Sequence, residues 1–193
     1  MSFYHDGQRD IQRRFASTAL ADRLEQKLGR NRFTDADKSF IEAASFFFLA
    51  SADAEGRPDC SYKGGAPGFV RVIAPDLLVF PDYDGNGMFR SLGNIAVNPA
   101  VGLLFIAMNE APKRLRVNGR AALSHDDPLL PSFVGAQAIV RVTPEHIFPN
   151  CPRYIHDLEH GAPSQYVPSN APPVEPAWKS FDDFKDVVPP RRG

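Results

Sequence analysis

Four short stretches combine residue types that could do chemistry. The first, Ser61-Tyr62-Lys63-Gly64-Gly65-Ala66-Pro67-Gly68, sets a lysine beside three glycines. Glycines let a backbone approach a ligand closely, and successive amides can cradle an anion. The stretch lacks both the Gly-Lys-Ser/Thr ending of a phosphate loop and the GxGxxG spacing of a dinucleotide turn. A plain turn accounts for the same residues. The second runs from Phe80-Pro81-Asp82 through Gly85-Asn86-Gly87 to Met88-Phe89-Arg90-Ser91 and Asn94. It reads as a strand end, a loop and a helix start. Free N–H groups at a helix start favour phosphate, and Arg90 and Ser91 fall in that first turn. A solvated surface arginine is the plainer alternative, but a cation recurs beside glycines in both stretches. The third is Arg116, Asn118 and Arg120, three donors on one strand face that could line a groove or simply meet water. The fourth is Asn150-Cys151-Pro152-Arg153-Tyr154-Ile155-His156. No CxxC pair surrounds Cys151, which reads as an inert thiol. His156 and His160, four apart with Glu159 nearby, could form a metal edge, but the HExxH pattern is absent and no further ligand is evident, so no metal is assigned. His125 and His146 read as surface or turn residues.

The elements that must position these groups follow from punctuation and periodicity. Nine of the 14 glycines lie between Gly56 and Gly119, and seven of the 18 prolines follow Gly161. Residues 1–44 therefore read as an N-terminal helical extension, 45–160 as the principal domain and 161–193 as a Pro-rich tail. Ile11, Phe15, Leu20, Leu24 and Leu28 recur at helical spacing up to the stop at Gly29. Thr34 is an N-cap for a second helix, with Asp35 and Asp37 in its first turn and Phe40, Ile41 and Ala44 facing inward. Strands are expected over 45–52, 58–63, 69–73, 77–80, 101–107, 115–123 and 137–142, with a short helix over 88–96. The apolar 101–107 run suits a strand covered on both faces. On 115–123, Leu115, Val117, Gly119 and Ala121 share one face. About seven strands joined by short turns favour an antiparallel barrel over a βαβ fold. In the tail, Trp178, Phe181 and Phe184 have helix-like spacing and are expected to dock.

Composition narrows the function classes. The chain has 193 residues, 43% apolar, enough for a substantial core. Lys plus Arg is 22 and Asp plus Glu is 23, giving a net charge of −1. That balance does not suit a nucleic-acid surface. Two cysteines make no disulfide framework. The longest apolar run, 46–50, is too short to span a membrane. Residues 1–20 are polar and charged, unlike a signal peptide. The expectation is a cytoplasmic protein with no membrane partner.

Taken in order, these motifs resemble the pyridoxamine 5′-phosphate oxidase-like, FMN-binding family. The resemblance rests on Ser61 to Val72, Leu78-Val79-Phe80-Pro81-Asp82 through Gly85-Asn86, Asn94-Ile95 with Asn98-Pro99, Val101-Gly102-Leu103-Leu104-Phe105 and Leu115 to Ala121. It covers about residues 40–158, and 150–155 resembles a segment that follows the barrel in one branch. The resemblance implies a mainly β fold: a six-stranded antiparallel split barrel with flanking helices. It also implies a homodimer, with FMN in two clefts at the subunit interface. Residue by residue, it implies that Ser61, Tyr62 and Lys63 run along the flavin and that Phe80, Pro81 and Asp82 end the adjacent strand. Asn86, Arg90 and Ser91 match the phosphate turn and helix, with Asn94 nearby. Arg116 and Asn118 match a strand reaching the flavin or the partner subunit. Cys151 to Tyr154 match a segment that packs near the cleft, from the same chain or the other. The phosphate helix here begins Phe89-Arg90-Ser91 where the oxidases read Ser-Arg-Lys, and their Arg-x-His signature is missing from the tail. The resemblance therefore implies the fold and FMN rather than oxidation of pyridoxamine phosphate.

With FMN bound, hydride chemistry belongs to the flavin and the protein supplies position and charge. Lys63, Arg90, Ser91 and loop amides would meet the phosphate, and Arg116 would stabilise negative charge on the reduced ring. The expected function is an FMN-dependent oxidoreductase acting on a small molecule. The rivals are a non-catalytic flavin carrier or sensor, a split barrel holding deazaflavin or haem, and a ligand-free dimer serving interaction alone.

Overall fold

A computed structural model describes residues 3–161, 165 and 174–188. Seven strands form one antiparallel sheet: β1 (Phe46–Ala52), β2 (Pro58–Gly64), β3 (Arg71–Ala74), β4 (Leu77–Tyr83), β5 (Ala100–Ala107), β6 (Lys113–Ser124) and β7 (Ala136–Pro149). Their order is β2-β1-β5-β6-β7-β4-β3. The helices are α1 (Asp6–Arg14), α2 (Thr18–Leu28), α3 (Asp35–Ala43) and α4 (Arg90–Val97). This is the mainly β architecture of a split barrel. The strand count is the seven that the residues suggest, not six: after the 65–68 turn the chain re-enters the sheet as the short β3 on the edge of β4.

Local chemistry explains each corner. At the β1–β2 hairpin, Asp53 Oδ1 accepts from the N–H groups of Glu55 and Arg57, at 3.1 and 2.9 Å, while Gly56 supplies φ +81°. The core fills with the alternate residues that the strands turn inward. Phe47, Leu49, Leu78, Phe80, Phe105, Leu115, Val117 and Val142 are essentially inaccessible. Each such side chain contributes about 1.5–3 kcal/mol by leaving water.

β7 is more than twice the expected length, at 14 residues, and joins β6 to β4. Its first half pairs with β4, and its second half pairs with the start of β6. Pro144 lacks a ladder donor, so a run read from 137 stops early on sequence grounds. The strand continues because the register shifts between Asn118 and Gly119, leaving Glu145 as the extra residue. A Cβ at Gly119 would lie 2.2 Å from the Thr143 carbonyl oxygen, so the two backbones meet where only glycine fits.

The N-terminal helical zone is interrupted. Ala16 adopts φ +51° between α1 and α2, and Ile11 and Phe15 stay about half exposed despite their spacing. Thr34 caps α3 as expected: its Oγ1 accepts from Asp37 N–H at 3.2 Å, and the Asp37 carboxylate accepts from Thr34 N–H at 2.9 Å. Arg30 also binds Asp37, fixing the loop before the helix. β5 is covered on one face only, because Gly102, Leu104 and Ile106 point outward and remain partly exposed. The tail docks through Trp178 and Phe184, whose rings meet edge to face at 5.8 Å. Arg23 and Lys27 of α2 bind Asp186 and Asp183 there, but Phe181 turns to solvent. The rest of the Pro-rich stretch lies outside the described residues.

Candidate functional site

An open cleft of about 270 Å³ lies between β2, the end of β4 and the loop that enters α4. Strand alternation brings Asp59, Ser61 and Lys63 to it from β2. Asp82 comes from the end of β4. Gln137 on β7 holds that carboxylate, donating to Asp82 Oδ2 at 2.8 Å and to the Tyr83 carbonyl at 3.3 Å.

The third wall is a turn that aims a helix end at the cleft. Asn86 Oδ1 accepts from Met88 N–H at 3.0 Å. Gly87 then takes φ +72° and Phe89 φ +48°, a left-handed conformation that costs a non-glycine residue about 1–2 kcal/mol. Phe89 occupies the N-cap position and provides no side-chain cap. Gly93 N–H makes the first helical bond, to the Phe89 carbonyl at 2.7 Å. The amides of Arg90, Ser91 and Leu92 are left without acceptors among the described residues, which is the arrangement that attracts an anion. Ser91 is buried in the first turn of α4. Arg90 is largely exposed and donates from Nε to Asp59 Oδ1 at 3.0 Å.

Six sequence candidates therefore meet here: Ser61, Lys63, Asp82, Asn86, Arg90 and Ser91. Other candidates lie elsewhere. Tyr62 is on the opposite face of β2, stacked on Phe46 at 5.4 Å, as the two-residue period requires. Phe80 is in the core against Phe47, and Pro81 is buried on the alternate face of β4. Asn94 bolts α4 to β1 through Ser51 Oγ at 3.1 Å. Asp59 and Gln137 escaped the sequence reading, because a lone acid on a strand and a lone glutamine carry no motif.

A second group forms on the outer face of the sheet. Arg116 donates to Asn150 Oδ1, and Asn118 is exposed one alternation further along. Arg114 Nη2 donates to the Cys151 carbonyl at 2.6 Å. Trp178 Nε1 reaches Cys151 Sγ at 3.2 Å, so the thiol lies under the docked tail. Tyr154 is exposed at φ +67°, with the Arg153 guanidinium 5.8 Å from its ring centre. At the proposed metal edge, His160 pairs with Asp157 at 2.8 Å, and this bond raises the imidazole pKa. Glu159 joins that group, but His156 does not.

The sequence profile of the pyridoxamine 5′-phosphate oxidase family matches residues 33–151. No curated protein matches the chain. Among solved structures, a variant of HupZ from Group A Streptococcus is 18% identical, with TM-score 0.50 over 61% of this chain and 98% of that one. A provisionally named pyridoxamine 5′-phosphate oxidase from Lactobacillus delbrueckii is 22% identical, with TM-score 0.50 over 62% and 95%. An FMN-binding protein from Syntrophomonas wolfei is 9% identical, with TM-score 0.46 over 74% and 96%. At such identities the shared property is the fold. The profile spans well over half of the residues, including the strands and the helix that wall the cleft, and places this chain in the pyridoxamine 5′-phosphate oxidase family.

Proposed function

We propose that the chain is an FMN-binding flavoprotein that works as a homodimer, with the flavin at the subunit interface, and oxidises or reduces a small molecule in the cytoplasm. The observation that carries this reading is the convergence on one cleft of an uncapped helix end, the Ser91 hydroxyl, Arg90 and Lys63. These groups fit a phosphate ester, which carries about −1.5 to −2 charge near pH 7 and needs several donors. Arg90 and Lys63 supply cations, and the α4 amides supply directional N–H groups. Bound FMN would supply hydride transfer at its ring. The chain's own residues anchor the phosphate, orient the ring along β2 and keep Asp82 turned toward Gln137.

Two features support a dimer. The cleft is open, and its volume falls just below the roughly 300–1,000 Å³ usual for small-molecule sites. A second wall from another subunit would complete it. The outer sheet face carries Phe46, Phe48, Tyr62 and Leu104, with Tyr62 61% exposed. Aromatic residues of this kind are enriched at interfaces. Among the described residues, no helix is long and apolar enough to cross a membrane.

The decisive experiment is identification, by absorbance and mass, of the chromophore that the purified protein carries or takes up. A yellow protein releasing FMN is expected. A colourless protein that takes up no FMN, or one that binds haem instead, would overturn the assignment. Oxidation of NAD(P)H with a dye acceptor then separates an enzyme from a carrier.

A further inference from the structure

The outer face of β6 carries more positive charge than its surroundings balance. Arg114 and Arg116 are on that face, and Arg153 comes near them from the segment after β7. Among the described residues, no carboxylate lies within 4.0 Å of any of the three. What holds them is neutral: the Asn150 side-chain oxygen for Arg116 and the Cys151 carbonyl for Arg114. Those contacts fix direction without cancelling charge. The Nε of Arg114 is buried and has no acceptor among the described residues. A buried donor left unpaired costs about 1–3 kcal/mol, so the cluster gains from an added acceptor. Burial, and then the like charges of Arg116 and Arg153, push the Arg114 pKa down. An anion would relieve both effects.

Three guanidiniums exceed the need of a flavin ring, which offers at most one negative charge. The flanks of the cluster are apolar, since Arg116 pairs across the sheet with Leu104 on one side and Phe148 on the other. We propose that Arg114, Arg116 and Arg153 bind the anionic group of the substrate, a carboxylate or phosphate on a small molecule whose apolar body lies against Leu104 and Phe148. This rests on the flavin reading, in which the second wall of each cleft comes from the partner subunit. Guanidinium suits the task, because its planar fork matches either oxyanion with two parallel hydrogen bonds.

The test uses the full-length chain loaded with FMN, titrated calorimetrically with inorganic phosphate and, separately, with succinate at constant ionic strength. Saturable binding of at least one is expected, and the preferred probe tells phosphate from carboxylate. Arg153→Gln should weaken that binding at least tenfold while leaving FMN affinity unchanged. Arg114→Gln provides a second variant on a different element should Arg153→Gln fail to fold. Absence of saturable binding, binding undiminished in the folded variants, or FMN loss in step with anion loss would each overturn the assignment. If the chain takes up no FMN, the flavin reading fails on its own. The cluster is then judged by phosphate binding to the flavin-free Arg90→Ala chain, with and without Arg153→Gln. Loss on adding the second substitution supports the anion site, and no loss rejects it.

Discussion

Arg90 Nε donates to Asp59 Oδ1 at 3.0 Å, tying the first turn of α4 to the edge of β2 across the mouth of the cleft. The carboxylate competes with any phosphate for the same guanidinium. Arg90→Ala should weaken FMN binding by the worth of a charge-assisted hydrogen bond, about 1.5–3 kcal/mol or roughly 10- to 150-fold. Asp59→Asn should leave binding equal or tighter. Flavin fluorescence titration measures both, and an Arg90→Ala protein that holds FMN as tightly as its parent would remove the phosphate assignment.

Tyr62 stacks on Phe46 on the outer face and is mostly exposed, so a change there leaves the core intact. Tyr62→Glu should give a folded monomer by sedimentation, with FMN affinity lowered because each cleft loses its second wall. An unaltered dimer would place the interface elsewhere.

Asp127 is almost fully buried and bound by Arg141 through two hydrogen bonds, at 2.5 and 3.0 Å. The Arg141 hydrogen bond holds the Asp127 carboxyl below its ordinary range. A depressed folded-state pKa adds stability above the unfolded value of about 3.9, and that stability is lost as pH falls through the folded value. Arg141→Ala should cost about 3–5 kcal/mol at neutral pH, because it strands a buried charge. Urea melts across pH should show the gap to the parent shrinking as the medium becomes more acidic than pH 4. A constant gap would mean that the pair contributes through packing alone.

Gly119 faces the Thr143 carbonyl at the β6–β7 irregularity, where a methyl group has no room. Gly119→Ala should destabilise the protein by about 3 kcal/mol, the upper part of the usual overpacking range. Ala122→Gly, an exposed change nearby on the same strand, should cost less, near the roughly 0.5–1 kcal/mol backbone effect. Equal melting shifts for the two would mean that the bulge tolerates a side chain.

Which parts of this arrangement are legible in the sequence depends on range. The Thr34 cap, the Asp53–Gly56 turn and the inward stripe of Leu115, Val117 and Ala121 follow from contacts between residues a few positions apart. Lys63 and Arg90 share a cleft although they belong to different elements, and the resemblance supplies that pairing where local chemistry cannot. Period-two alternation separates Tyr62 from Ser61 and Lys63, yet treating the three as one motif hides it. The second half of β7 is hidden for a different reason: Pro144 signals an end, and only pairing with a strand some 25 residues away carries the chain past it. The Asp59–Arg90 bond likewise spans 31 positions and leaves no local trace.

The docked tail has an optical consequence. The chain's single tryptophan, Trp178, rests its indole N–H on the Cys151 sulfur, next to the backbone oxygen that Arg114 grips. Thiols quench indole emission on contact, so the ultraviolet fluorescence of the unlabelled protein monitors this one junction. The seating of the C-terminal segment beside the arginine cluster becomes a brightness that can be followed in time.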